Sequence, residues 1–138
     1  MKLKNVLITL SFVVLSPSYP YTVVNAQSVP FTSTTTISDQ IDAVWGVSAP
    51  IGRAISYCES GLRQYDAPNH VLRGRVNPAD AGVFQINVEY HSKELLSTTT
   101  NIYTPIGNIM FAKHLYDQSS TSPWRASEKC WKPLLSES

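Results

Sequence analysis

The residue whose type and setting best suit chemistry is Glu59, which stands in Cys58-Glu59-Ser60-Gly61 at the end of an expected helix. There it lies on the border of the helix's apolar stripe, half out of water. Desolvation disfavours the charged form of a carboxyl, so its pKa is expected to rise. A carboxylic acid that keeps its proton near neutral pH is the donor that cleavage of a glycosidic bond requires. The plainer alternative is a solvent-facing glutamate near a helix end. A carboxylate in the last turn opposes the helix dipole by roughly 0.3–1 kcal/mol, a small cost that suggests a functional reason without proving one.

The helix that must carry Glu59 is written locally. Ser48-Ala49-Pro50 is a start signal, because Ser caps well and Pro loses no helix bond in the first turn. Ile51, Ala54, Ile55, Cys58 and Leu62 then form a narrow stripe of period 3.6. Gly61 is the natural stop, since Gly takes the left-handed conformation at no steric cost. A second segment, Asp80-Ala81-Gly82-Val83-Phe84-Gln85-Ile86-Asn87, is expected as the strand that lies across the cleft beside Glu59.

The 138 residues suit one domain. Met1-Lys2-Leu3-Lys4, the apolar run Val6 to Leu15 and Val24-Asn25-Ala26 have the order of a secretory signal peptide cleaved after Ala26, with an uncleaved anchor as the alternative. The expected location is therefore extracytoplasmic, with no stable membrane span after processing. Without Lys2 and Lys4 the chain carries 9 basic and 10 acidic residues. That balance supplies no basic footprint for nucleic acid. Two cysteines remain, Cys58 and Cys130; in an oxidising compartment they read as a disulfide, and otherwise as two buried thiols.

Residues 27–37 read as a flexible leader and residues 38–132 as the domain, with a loose tail at 133–138. Ser38 to Trp45 is expected to be a short helix capped by Ser38. Val71-Leu72-Arg73 and Val83-Phe84-Gln85-Ile86 are expected strands, Val88 to Leu96 a helix, and Thr104-Pro105 the start of a buried central helix. Ser122-Pro123 starts a last short helix with Trp124 and Trp131. The expected class is α+β, mostly helical with a small antiparallel sheet.

At Glu59-Ser60-Gly61 and Gly82-Val83-Phe84-Gln85-Ile86-Asn87 the chain resembles the lysozyme-like superfamily, most nearly the transglycosylase SLT domain of lytic transglycosylases. Ile106 to Leu115 resembles that family's buried third-motif helix. Asp80 to Asn87 also resembles the Asp-Tyr-Gly-x-x-Gln-Ile-Asn strand of animal c-type lysozymes, which puts Asp80 on the second catalytic carboxylate, 21 residues after Glu59. Trp124-x-x-Ser127-x-x-Cys130-Trp131 is similar to the ending of small secreted members. No Tyr-Asn motif of the transglycosylase kind is present.

The resemblance implies cleavage of the β-1,4 bond between N-acetylmuramic acid and N-acetylglucosamine in peptidoglycan glycan strands by a monomer. Glu59 is the implied acid and then base of a transglycosylase. In the hydrolase alternative Asp80 stabilises or captures the sugar cation, a role that needs about 5–5.5 Å between carboxyls for a nucleophile or about 6.5–9.5 Å for an inverting base. Ser60 and Gln85 are implied on the substrate side, and Tyr90, Tyr103 and Trp124 are candidates to stack on sugar rings. The plainer roles are a turn-capping Asp80, a purely structural Gln85, a helix-capping Asn87 and core aromatics. His70, His91 and His114 lack ligand-like spacing, so neither metal nor other cofactor is expected. A non-catalytic wall-binding module and a disulfide-stapled structural or inhibitor protein are the rival classes.

Overall fold

The computed structural model describes residues 35–136. The expected signal peptide and residues 27–34 of the expected leader lie outside the described residues. Those described form an α+β fold: α1 (Ile37–Trp45), α2 (Ala49–Ser60), β1 (Tyr65–Ala67), β2 (His70–Val71), β3 (Asp80–Ala81), β4 (Ile86–Asn87), α3 (Ser92–Ser97), α4 (Pro105–Ser119) and α5 (Glu128–Leu134). β1 pairs with β2 and β3 with β4, both antiparallel. An isolated bridge between Arg73 and Ala81 ties the two hairpins together.

Helix starts follow capping chemistry. Thr36, not Ser38, caps α1: its hydroxyl accepts from the Asp39 N–H at 3.1 Å, and the Asp39 carboxylate accepts from the Thr36 N–H at 2.9 Å. This reciprocal box satisfies two end groups, which a lone serine cannot do, and it shortens the leader. α2 starts at Ala49 with Pro50 in its first turn, but Ser48 makes no side-chain cap bond. It ends as expected at Gly61, whose φ is +65°. Thr104 caps α4 by accepting from the Gly107 N–H at 3.2 Å.

Three expected elements change. Gly82 to Gln85 is the turn of the β3–β4 hairpin rather than a strand, opening on Gly82 at φ +72° and closing on Gln85 at φ +48°. Its apolar run is buried because the turn itself plugs into the core: Val83 and Phe84 are fully buried. The chain from Val88 to His91 is a series of turns, and α3 begins only at Ser92. α5 runs through Leu134, so the helix passes the expected domain end.

α1 packs against α2 and α4, and α2 against α5. At the centre Trp45 stacks on Phe84, with ring centroids 5.1 Å apart, and Trp124 tilts against both. Each aromatic buried this way contributes on the order of 1.5–3 kcal/mol by leaving water. α4 is the expected central helix on one side only: Ile109, Phe111, Ala112 and Leu115 are buried, while Ile106 and Met110 are 40% and 50% exposed. The expected disulfide is present, joining Cys58 at the end of α2 to Cys130 in α5 across 72 residues.

Candidate active site

Two cavities, of about 820 Å³ and about 450 Å³, share Glu59, Asp80 and Gln85 as walls. These three residues come from the end of α2, from β3 and from the buried turn. They therefore stand where the two halves of a groove meet.

The end of α2 is held from two directions. Gly61 stops the helix, and the disulfide at Cys58, next to Glu59, fixes that end against α5. Ser127, one turn before Cys130, donates its hydroxyl to Glu59 Oε1 at 2.5 Å. Glu59 is half-buried. Burial pushes its carboxyl above the ordinary glutamate range, the Ser127 hydrogen bond pulls it back, and the neighbouring Asp80 charge pushes it up again; the net direction is upward. A carboxyl so placed holds a proton at higher pH than a free glutamate and can donate it into the groove.

Asp80 is positioned by the hairpin. Its Oδ1 accepts from Asn87 Nδ2 at 2.7 Å, directly across the β3–β4 pair. Asn77 is the turn-capping residue instead: its Oδ1 accepts from the Ala79 N–H at 3.0 Å. Asn87 also caps, accepting from the Tyr90 N–H at 2.8 Å, but it caps a turn rather than a helix. Gln85 donates its Nε2 to the Gly82 carbonyl at 2.9 Å, a bond that holds its own turn. Its Oε1 remains the atom suited to accept from a ligand. A non-glycine residue in the left-handed region is strained, and here the strain falls on a groove-lining residue.

Two buried amides hold this turn. Gln64 Oε1 accepts from the Val83 N–H at 3.1 Å while its Nε2 donates to the Ile102 carbonyl at 3.1 Å. Asn108 Oδ1 accepts from the Phe84 N–H at 2.9 Å, and its Nδ2 donates to the Ala81 and Ile102 carbonyls. Gly82 lies so close to both amides that a Cβ there would stand 2.6 Å from Asn108 Nδ2.

The other expected site residues divide. Tyr90 lines the larger cavity and is 83% exposed, free to meet a ligand face. Trp124 also borders that cavity but is 4% exposed, and its N–H is given to the Phe84 carbonyl at 3.0 Å; it is a core residue. Tyr103 lines neither cavity; Arg73 lies over its ring at 5.3 Å. Ser60, 5% exposed, donates to the Val83 carbonyl at 2.7 Å and so joins the end of α2 to the hairpin turn.

Four site features escape a linear reading. Ser127 was visible only as the serine of Trp-x-x-Ser-x-x-Cys, and Gln64 and Asn108 carried no local signal. Glu94 accepts from both His91, at 3.2 Å, and His114, at 2.8 Å, across α3 and α4. Burial pushes the Glu94 carboxyl up, but the bonds from His114, His91 and Gln118 outweigh it and hold it below the ordinary range. Among the described residues no group of three or more His, Cys, Asp or Glu side chains is arranged to hold a metal ion. The chain matches no family model, no curated protein and no solved structure.

Proposed function

We propose that this protein is a secreted peptidoglycan-cleaving glycosidase of the lytic transglycosylase type, with Glu59 as general acid and then base. The observation that carries the reading is Glu59 itself: half-buried, its pKa raised, and standing where two cavities meet. A protonated Glu59 gives its proton to the leaving glycosidic oxygen as an oxocarbenium-like transition state forms. The carboxylate left behind then takes the proton of the muramoyl 6-hydroxyl, which attacks the anomeric carbon and closes a 1,6-anhydro ring.

The second reading is a lysozyme-type hydrolase. It is favoured by Asp80, which walls both cavities with Glu59 and whose charge acts on it. There water attacks, and Asp80 stabilises or captures the sugar cation.

Digestion of purified peptidoglycan followed by mass spectrometry separates the two. Muropeptides ending in 1,6-anhydro-muramic acid support the transglycosylase; reducing-end muramic acid supports the hydrolase. Glu59→Gln is expected to abolish cleavage while leaving binding intact. Cleavage that survives Glu59→Gln ends the assignment of Glu59, and binding without cleavage by the unaltered chain points to a wall-binding module.

A further inference from the structure

The two halves of the groove carry opposite charge. The smaller cavity is walled by Arg63, Arg73 and Arg75, and its only acids are Glu59 and Asp80. The larger cavity has Lys93 and His91 against Glu59, Asp80 and Glu94. None of the three arginines takes part in a salt bridge with any described residue. Their charge is therefore not spent on the carboxyl pair.

The arginines are also attached to the same framework as that pair. Arg63 donates its Nε to the Ser60 carbonyl at 2.9 Å, which ties it to the end of α2. Arg73 bridges to Ala81, and the Gly74 N–H donates to the Asp80 carbonyl at 2.9 Å, which ties the Leu72–Asn77 segment to β3. All three side chains are exposed. Planar guanidinium groups recognise carboxylates through paired N–H donors, and they keep their charge at every working pH.

We infer that the Arg63–Arg73–Arg75 wall is a subsite for carboxylate groups on the substrate, so that the enzyme prefers glycan strands bearing acidic peptide substituents over the same strands with their carboxylates neutralised. The inference rests on the glycan-cleaving reading above and adds a substrate class to it. In peptidoglycan the carboxylates belong to the stem peptides on the muramoyl lactyl groups. A strand seated across Glu59 then places one such peptide on the arginine side of the scissile bond. Exposed charge contacts of this kind are each worth about two- to fivefold and are weakened by salt.

The test uses one peptidoglycan preparation in two forms, untreated and with its carboxylates converted to neutral amides by a carbodiimide and ammonia. Cleavage kinetics and co-sedimentation are measured for the unaltered chain and for the Arg63→Gln, Arg73→Gln, Arg75→Gln triple variant. The expected result is a preference of about tenfold for the untreated strands, carried by KM, erased in the triple variant and reduced by added sodium chloride. Circular dichroism confirms that the triple variant is folded, and single variants replace it if it is not. Equal use of both strands by the unaltered chain overturns the inference, as does a preference that the folded variants keep. Should neither strand be cleaved, the glycosidase reading fails, and co-sedimentation still decides the subsite. Salt-sensitive binding of the untreated strands that is lost in the variants upholds it, and equal or absent binding overturns it.

Discussion

The groove is built from two regions held in different ways. The Glu59 side is two helix ends locked by a covalent bond: α2 stops at Gly61, Cys58 is joined to Cys130, and Ser127 reaches Glu59 from the turn before α5. The Asp80 side is a hairpin with two-residue strands, too short to be stable on its own ladder. It is held from outside by Gln64 and Asn108, whose amides replace the partners that the turn's backbone lacks. Glu59 is thus placed by local helix chemistry with a covalent staple, and Asp80 by buried polar bonds from distant residues. Buried polar bonds are costly to leave half-made, so the hairpin should be the more fragile half.

The largest expected effect tests that fragility. Asn108→Ala strips partners from the Phe84 N–H and from the Ala81 carbonyl, both in the core. It is expected to destabilise the fold by about 4 kcal/mol, read by denaturant unfolding. A loss below about 1 kcal/mol would remove the contrast between the two regions.

Next is the staple. Cys58→Ser with Cys130→Ser is expected to cost about 3 kcal/mol, as removal of a native disulfide does. Amide hydrogen exchange sharpens the point: the end of α2 and α5 should exchange faster, while the Val83 and Phe84 amides keep their protection relative to the new global stability. Equal acceleration in both regions would mean that they open as one unit.

Ser127→Ala is expected to cost about 1 kcal/mol, because Glu59 is only half-buried and water replaces part of the lost bond. The more specific readout is the Glu59 carboxyl titration followed by NMR. The Ser127 bond lowers the Glu59 pKa, so its removal should raise it. The destabilisation should therefore be largest above that pKa and fade as pH falls below it. For an enzyme using Glu59 as acid, the alkaline limb of the pH–rate profile moves to higher pH; Ser127→Thr should restore both. A titration unchanged in Ser127→Ala would show that the hydroxyl does not act on the acid.

The smallest effect has the opposite sign. A carboxyl whose folded pKa is raised stabilises the fold fully only below its unfolded pKa, and that contribution is lost as pH rises through the folded value. Glu59→Gln removes this penalty. It is expected to stabilise the protein by about 0.5–1 kcal/mol at neutral pH, with the gain vanishing in acid. Thermal unfolding at two pH values checks it, and a variant less stable than its parent at neutral pH would contradict a burial-raised carboxyl.

How much was legible in the chain depends on the range of the forces concerned. α2 was written locally, in its proline, its period-3.6 stripe and its terminal glycine, so the position of Glu59 on the stripe border could be read in advance. The cap of α4 at Thr104 was legible for the same reason, and the pairing of Cys58 with Cys130 followed from there being only two cysteines. Val83-Phe84-Gln85 has the pattern of a strand but forms a turn, because a buried apolar run looks the same whether it extends or turns. Gly82, with φ +72°, was the residue in the turn that marked it.

By itself, then, the sequence determined α2 with its first-turn proline and glycine stop, the cap of α4 and the half-buried setting of Glu59, because capping, periodicity and left-handed glycine act within a few residues. Only the tertiary structure decided that Ser127 meets Glu59, that Gln64 and Asn108 hold the Asp80 hairpin, that Trp124 belongs to the core, and that three arginines wall one side of the groove. Apart from the arginines, whose ties span 3 to 8 positions, those outcomes depend on atoms brought together across 19 to 68 positions of chain, where hydrogen bonding and burial are settled by packing and leave no periodic trace.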